Sequence, residues 1–293
     1  MKQSFLFHVG FAVSFFVTGV FNVQAAEVEW SADGFDQPES VYFDSTHQQI
    51  FVSNINGQPN EKNNKGYIAL LSPDGKIQNK HWVSGMDAPK GMTVVGNYLF
   101  VSDIQRIHKI DIEQAKIVKT YKAPQAIFLN DISASTQGDV YISDMLDKTI
   151  YKLADDELSL WLKSNKIAHP NGLEVEGETL YVGTWGEGIN DDFTTQKAGS
   201  LITVDLKSQK IMPLSGGAQL GNLDGVVRLN GQTIVNDWIT GQMYRVTPQG
   251  QAHQIGVFHK GLADISSEGR LIFMPYMFDG RVDAVLYSSL KAQ

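Results

Sequence analysis

The chain has 293 residues, of which 42% are hydrophobic and 19% charged, and its net charge is −8. A chain of this length can bury a large core without covalent cross-links. It has no cysteine, which excludes disulfide frameworks, thiolate metal sites and cysteine nucleophiles. The acidic balance, without a run of basic residues, argues against nucleic acid or an anionic lipid surface as the main partner.

The N-terminus has the pattern of a targeting segment. An apolar run over residues 5–21 follows a single lysine, and Val23-Gln24-Ala25 has the small residues of a cleavage site. The pattern predicts a signal peptide over residues 1–25, one domain over residues 26–293, and a periplasmic or secreted protein without membrane attachment. Because the apolar run is close to the ~20 residues that span a bilayer, an uncleaved membrane anchor is the alternative.

A short apolar run recurs six times along the rest of the chain. Its β-branched and aromatic residues are typical of strands. Five copies end in a polar residue and the last ends in proline. The copies are residues 50–54, 99–103, 140–144, 180–184, 233–237 and 271–275.

A second recurring piece lies upstream of each of these strands. Its second residue precedes the last residue of the strand by 12–15 residues. Its copies are residues 38–41, 89–92, 129–132, 170–173, 223–226 and 262–265. A period near 40 residues, with strands and turns only, is typical of a propeller blade. The sequence therefore predicts an all-β fold, a six-bladed β-propeller. An N-terminal strand over residues 27–30 closes it by pairing with the last blade, which hides the end strands.

Two blades carry insertions after their second strand, over residues 55–66 and 186–199. In a propeller this connection lies on the same face as the start of each innermost strand. We therefore expect both insertions beside the mouth of the central channel. Long polar loops on one face are often functional, and we interpret this pair as a partial lid.

The second residue of each recurring piece is expected at the channel mouth, because the innermost strands line the axis. These residues are Glu39, Lys90, Asn130, Asn171, Asp224 and Ala263. Two carboxylates and two amide oxygens suit Ca²⁺ as a cofactor, with Mg²⁺ or Mn²⁺ as alternatives. Zn²⁺ is disfavoured because no histidine or cysteine falls on the ring. Asn171-Gly172 and Asp224-Gly225 are also common turn dipeptides, which is the structural alternative.

At these residues the chain resembles the senescence-marker-protein/gluconolactonase/LRE-like family of six-bladed propellers. The resemblance is carried by Pro38-Glu39, Asn130-Asp131, Pro170-Asn171-Gly172-Leu173 and Asp224-Gly225. It implies divalent-metal ligands at Glu39, Asn171 and Asp224, and a ligand or substrate contact at Asn130. We assign all four to the metal.

The resemblance implies a metal-dependent hydrolase of a lactone or similar ester, in which water attacks a polarised carbonyl. Asp224 or Asp131 would take the proton, and Lys90, His169 and Trp185 are the candidates for binding a small-molecule substrate. The alternative is a non-catalytic propeller that binds a small ligand or a partner protein at the same mouth. No Gly-x-Ser-x-Gly, phosphate-loop or dinucleotide motif is present.

Lys90 departs from what the resemblance implies, since an ammonium beside a metal weakens metal binding. It could replace the metal by pairing with a carboxylate, bind an anionic substrate group, or be solvated. The strand-end residues Asp103, Asp144 and Asp237 are assigned to turn bonding. Trp238 is assigned to packing within its blade.

Overall fold

The computed structural model of the protein describes residues 26–291, which form 26 strands and one short 3₁₀ helix. The predicted targeting segment, residues 1–25, lies outside the described residues. Between residues 26 and 291, no helix is long and apolar enough to cross a membrane.

The first strand, β1 (Val28–Asp33), belongs to the last blade, and blades 1 to 3 follow it along the chain. Blade 1 has β2 (Pro38–Asp44), β3 (Gln49–Asn54), β4 (Gly66–Leu71) and β5 (Ile77–Met86). Blade 2 has β6 (Pro89–Val95), β7 (Tyr98–Asp103), β8 (Arg106–Asp111) and β9 (Lys116–Lys122). Blade 3 has β10 (Leu129–Ala134), β11 (Val140–Asp144), β12 (Thr149–Ala154) and β13 (Glu157–Lys163).

Blade 4 carries an additional hairpin. Its strands are β14 (Pro170–Glu176), β15 (Thr179–Thr184), β18 (Leu201–Asp205) and β19 (Ile211–Pro213), and the hairpin is β16 (Gly186–Ile189) and β17 (Thr195–Ala198). Blade 5 has β20 (Leu223–Leu229), β21 (Gln232–Asp237), β22 (Gln242–Val246) and β23 (Ala252–Val257). Blade 6 has β24 (Ser266–Glu268), β25 (Leu271–Tyr276) and β26 (Arg281–Leu286), and the 3₁₀ helix Tyr287–Ser289 follows.

Every blade is a four-stranded antiparallel sheet, and the last blade is completed by the N-terminal strand. β1 pairs with β26, from Val28 opposite Val285 to Asp33 opposite Arg281. The predicted six-bladed all-β propeller and its closure by an N-terminal strand are confirmed. This pairing leaves neither end of the sheet series open, which removes exposed edges at the junction.

The innermost strands of blades 1 to 5 begin with the same β-bulge. In blade 1, Pro38 pairs with Asn54 and Val41 pairs with Val52, so two residues lie opposite Ser53 alone. The same two-against-one offset recurs in the other four blades. A bulge turns side chains away from the regular alternation of a strand. This brings the second and third residues of each recurring piece to the channel.

Residues opposite the bulges connect neighbouring blades. Ser143 Oγ accepts a hydrogen bond from Asp131 N (2.9 Å) in its own blade and donates one to Asn171 O (2.8 Å) in the next. Ser102 likewise donates to Asn130 O of the following blade. Apolar side chains fill the rest of the space between blades. These contacts hold the start of each innermost strand in place.

Candidate active site

A pocket of about 70 Å³ lies at the channel mouth, where the innermost strands begin. We call it the mouth pocket. Its lining residues are Glu39, Ile55, Pro59, Lys90, Phe128, Asn130, Met145, Trp185, Phe193, Asp224, Trp238 and Met277. The structure therefore brings together five of the residues singled out in the sequence, namely Glu39, Lys90, Asn130, Asp224 and Trp185.

Glu39 carries the least satisfied polar atom of the pocket. Its side chain is buried, and Oε2 has no hydrogen-bond partner in the part of the chain that the structure describes. Burial raises the pKa of Glu39 well above its usual range, and Asp224 and Asp264 raise it further, whereas Lys90 lowers it. An unpartnered buried carboxylate oxygen is costly, so a cation or a donor group of a ligand would be stabilised there.

Asn171 forms hydrogen bonds with two other residues predicted at the channel mouth, Asn130 and Asp224. Its Oδ1 accepts a hydrogen bond from Asn130 Nδ2, and its Nδ2 donates to Asp224 Oδ1 (2.8 Å) and Leu223 O (3.1 Å). Asn171 is fully buried. Burial raises the pKa of Asp224 well above its usual range and Asp264 raises it further, whereas the hydrogen bond from Asn171 lowers it. Asn171 therefore orients the Asp224 carboxyl group towards the pocket.

Lys90 points into the pocket and is only 1% exposed, so it is not a solvated surface lysine. Its Nζ donates to Ala88 O (2.9 Å) and lies 4.6 Å from the centroid of the Phe128 ring. Burial lowers the pKa of Lys90 to about 8, while Glu39 and Asp103 oppose the shift. Among residues 26–291, Lys90 has no ion pair within 4.0 Å. The structure therefore shows neither a solvated lysine nor a direct salt bridge.

The strand-end aspartates hold the segments that carry the pocket. Asp103 accepts hydrogen bonds from Ala88 N (2.8 Å) and Asp87 N (3.1 Å), which fixes the carbonyl group that binds Lys90. Asp144 accepts one from Phe128 N (2.8 Å). Their assignment to turn bonding agrees with these contacts. Asp103 also acts on Lys90 through its charge, which raises the pKa of the ammonium group.

The walls of the mouth pocket are aromatic and apolar. Trp185 lies 6.4 Å from Phe193 and 5.9 Å from Trp238, measured between ring centroids. Trp185 Nε1 donates to Phe193 O (2.8 Å), which ties the blade 4 hairpin to the wall. Phe193 belongs to that insertion and Pro59 to the blade 1 insertion. Both insertions therefore flank the mouth, as the sequence predicts.

The sequence predicts packing for Trp238, but the side chain also lines the mouth pocket. A separate repeat in the sequence marks the residues of this wall. The residue directly after the polar end of a second strand is apolar in the first five blades, and four such residues line the pocket. They are Ile55, Met145, Trp185 and Trp238. Phe128 and Met277 have no comparable repeat signal.

A second and larger cavity, of about 270 Å³, lies further along the channel, towards the opposite face. We call it the channel cavity; its lining includes Ser40, Asp131, Glu174 and Asp264. Asp131 accepts hydrogen bonds from Leu173 N (2.5 Å) and from Ile132 N (2.6 Å). The structure thus does not bring Asp131, a candidate base, into the mouth pocket.

Carboxyl groups of the channel cavity share its buried environment. Burial raises the pKa of Asp264 to about 7, while Ser40, which donates to its Oδ2 (2.6 Å), lowers it. Burial and the charge of Asp264 raise the pKa of Glu174 to about 8. Burial also raises the pKa of Asp131 well above its usual range, and Asp264 adds to the shift. Burial thus shifts all three carboxyl groups towards their protonated form.

His169 lies beside the ring but is not among the residues that line the mouth pocket. It has a positive φ of 56°, and its Nδ1 is 2.9 Å from Met145 O. Burial lowers the pKa of His169, so the ring is neutral at neutral pH. The structure therefore places this substrate-binding candidate in the turn before β14, behind Met145 and Trp185, which line the pocket.

Glu39, Lys90, Asn130 and Asp224 form the polar end of the mouth pocket, which we call its floor. The floor suits a hard divalent cation only if amide oxygens take part. Among residues 26–291, no group of three or more acidic or histidine side chains could hold a metal ion. Glu39 and Asp224 supply two carboxyl groups, and Asn130 and Asn171 supply amide oxygens, a donor set that Ca²⁺ accepts. The unpartnered Oε2 of Glu39 fits a cation. The four residues therefore fit the metal that the sequence predicts.

Solved structures with similar folds belong to proteins of different kinds. A gluconolactonase from Xanthomonas campestris matches 88% of this chain with 88% of its own, at 13% identity and a TM-score of 0.66. Virginiamycin B lyase from Staphylococcus aureus matches 84% with 79%, at 14% identity and 0.60. A chain of a nidogen/laminin complex matches 84% with 92%, at 14% identity and 0.65.

No family model and no curated protein matches the chain. The structural neighbours include a gluconolactonase propeller, which confirms at the level of the fold the resemblance seen in the sequence. At identities this low the likeness shows the fold alone. A propeller supports unrelated activities, so the function must be argued from the mouth pocket.

Proposed function

We propose that the protein hydrolyses a lactone or a similar ester in the mouth pocket. The observation that carries the proposal is the buried Glu39 carboxylate, whose Oε2 lacks a partner in the pocket that also holds Asp224. Perturbed carboxyl groups in a concave, largely apolar site are typical of active sites. Structural neighbours that include a gluconolactonase and a lyase are consistent with this class of reaction.

Glu39, Asn130, Asn171 and Asp224 would hold a divalent cation, and Ca²⁺ is our first choice. Mg²⁺ or Mn²⁺ are the alternatives. When bound, such a cation supplies positive charge that polarises a carbonyl group and acidifies water. In the structure Asn171 turns its Nδ2 towards Asp224, so its amide group would reverse to offer the oxygen.

The side chains of the pocket have separate tasks in this proposal. Asp224 takes the proton of the attacking water through its carboxylate form. The ammonium of Lys90 favours negative charge that develops on the substrate. The aromatic walls exclude bulk water, which strengthens both electrostatic effects. Asp131, which faces the channel cavity, takes no part.

The test combines thermal unfolding with lactone hydrolysis. The wild type, Glu39→Gln and the matched control Glu174→Gln are titrated with Ca²⁺, Mg²⁺ and Mn²⁺, and proton release from a panel of lactones is followed. A ligand that binds only the native state must raise the melting temperature. We expect a shift and hydrolysis in the wild type and in Glu174→Gln, and the loss of both in Glu39→Gln.

Three results would each contradict a different part of the proposal. Hydrolysis without a thermal shift from any metal would remove the cation and leave the hydrolase. Absence of hydrolysis across the panel, with or without a metal, would remove the hydrolase. A metal-induced shift that persists in Glu39→Gln would place the cation elsewhere.

A further inference from the structure

The mouth pocket also indicates the substrate class, an inference that rests on the proposed hydrolysis. We propose that the substrate is a compact, apolar lactone or ester rather than a polyhydroxylated sugar lactone, and that Lys90 binds its acyl oxygen. The body of the substrate would lie between the aromatic walls. Its polar end alone would reach the floor.

The walls offer little to a hydroxyl group. Phe128, Phe193 and Met277 have no side-chain donor, and the indole N–H of Trp185 already donates to Phe193 O (2.8 Å). Met145, Ile55 and Pro59 are apolar as well. A buried hydroxyl group without a partner loses its hydrogen bonds to water and gains none. Each ring hydroxyl of a sugar lactone would therefore weaken binding.

Apart from the indole N–H of Trp238, which donates to no described residue, the polar groups with free capacity lie on the floor. Lys90 Nζ donates to one acceptor, Ala88 O, among residues 26–291, although an ammonium has three N–H donors. Its remaining donors can bind an acceptor oxygen. The Oε2 of Glu39 accepts from no described residue. One acceptor oxygen at the buried end of the ligand, with water or a cation at Glu39, would satisfy this floor.

Size points in the same direction. The enclosed volume of about 70 Å³ is too small for a ring with four polar substituents and their hydration, and holds little more than the carbonyl end of a small apolar ring. Flat apolar rings also pack well against the tilted pair of Trp185 and Trp238, whose centroids are 5.9 Å apart. The pocket thus selects by shape and apolarity at the walls and by one polar contact at the floor.

The reaction itself is an ordinary hydrolysis. Water adds to the acyl carbon, and the bond between that carbon and the ring oxygen breaks. The ring oxygen leaves as a hydroxyl group after taking one proton. The product is a hydroxy acid that releases one proton at neutral pH, and no redox partner or second substrate is needed.

The experiment compares two lactones with the same six-membered ring, δ-hexalactone and D-glucono-δ-lactone, and adds dihydrocoumarin as an aromatic member. Proton release gives kcat/KM after subtraction of spontaneous hydrolysis. We expect δ-hexalactone to exceed D-glucono-δ-lactone by about 100-fold, since an unpartnered polar group in a binding site costs this order of discrimination. Equal or better hydrolysis of the sugar lactone would overturn the inference and leave the hydrolase standing.

Variants separate the wall from the floor. Trp238→Ala should reduce the ratio between the two lactones at least fivefold, because it opens an apolar wall to water. Lys90→Met should lower kcat/KM for both lactones by about 100-fold with the ratio unchanged, as expected for loss of one charged hydrogen bond to the acyl oxygen. The control Lys109→Met removes another ammonium that lies over aromatic rings in the same blade, and should change neither value.

A binding measurement covers the case in which no lactone is hydrolysed. The lactam analogue of δ-hexalactone and that of D-glucono-δ-lactone resist hydrolysis, and quenching of tryptophan fluorescence reports on Trp185 and Trp238. Tighter binding of the apolar lactam, weakened in Lys90→Met, would support the ligand class although the proposed hydrolysis had failed. Equal binding of the two lactams, or tighter binding of the sugar lactam, would overturn it.

Discussion

The two cavities of the channel are built from adjacent residues of the same strands. Second residues of the recurring pieces, such as Glu39 and Asn130, line the mouth pocket, and third residues, such as Ser40 and Asp131, line the channel cavity. The bulge at the start of each innermost strand makes this possible, because it lets consecutive side chains both reach the axis. One short sequence piece thus supplies two different sites.

The two cavities differ in the hydrogen bonds that their carboxyl groups accept. In the channel cavity, Asp131 accepts two backbone hydrogen bonds and Asp264 accepts one from Ser40. In the mouth pocket, Glu39 has a buried oxygen without a partner. The acids of the larger cavity thus have hydrogen-bond partners within the fold, whereas the smaller cavity has a carboxyl oxygen that a ligand could bind. Our proposal rests on this difference and not on cavity volume.

Removal of one carboxylate from each cavity is the strongest test of whether the two cavities have different roles. Asp224→Asn should lower kcat/KM by about 10³-fold, because the group proposed to accept the proton is replaced by a neutral amide. Asp131→Asn should stay within about tenfold of the wild type, because its side chain faces the other cavity. Lactone hydrolysis by proton release measures both.

Circular dichroism and thermal unfolding serve as controls for this pair. Asn at position 131 keeps only one acceptor for the two backbone donors, so a loss of about 1–3 kcal/mol in the free energy of unfolding is expected. Comparable losses of activity in both folded variants would show that the two cavities form one functional unit.

The second expected effect concerns the charge of Lys90. Lys90→Met should tighten divalent-cation binding at the mouth pocket at least tenfold, since a buried ammonium repels a cation held nearby. Calorimetric titration with Ca²⁺ measures the dissociation constants. Lys109→Met is again the matched control and should leave the affinity unchanged. Weaker binding in Lys90→Met would mean that the lysine organises the metal ligands instead of opposing the metal.

The sequence predicts most of the fold and about half of the pocket. The repeat period identifies the blades, and the second residue of each piece identifies Glu39, Lys90, Asn130 and Asp224, because both signals recur. The burial of Lys90 over Phe128 does not recur, since it depends on an aromatic residue from the next blade. The different placement of Asp131 also requires the structure, because a bulge breaks the two-residue alternation from which strand faces are predicted.

A third test addresses the connection between the cavities. Ser143 bonds the backbone of Asp131 and of Asn171, so it holds the start of two innermost strands. Ser143→Ala leaves a buried N–H and a buried carbonyl group unpartnered, and should lower the free energy of unfolding by about 2 kcal/mol. Urea unfolding measures this, with the exposed Ser159→Ala as the control. An effect as small as that of the control would mean that water replaces the hydroxyl group.

The last expected effect is the pH dependence that the channel cavity imposes on stability. Asp264 and Glu174 have pKa values of about 7 and about 8 in the folded protein, against ordinary values of 3.8 and 4.5. The folded state therefore keeps protons that the unfolded state has released above about pH 5. This stabilisation is complete below the ordinary pKa values and is lost as the pH rises through the raised ones.

In the presence of a chelator, the free energy of unfolding should fall between pH 6 and pH 8 by about 1 kcal/mol through Asp264 and by about 2 kcal/mol through Glu174. Urea unfolding at the two pH values measures the change. Asp264→Asn and Glu174→Gln should each reduce it, because each removes one of the titrating groups. Lys90 has a lowered pKa and works in the opposite sense only above about pH 8, so it does not mask the trend. A stability that rises from pH 6 to pH 8 would show that the acids of the channel cavity are ionised in the folded protein. The division between a satisfied and an unsatisfied set of acids would then no longer hold.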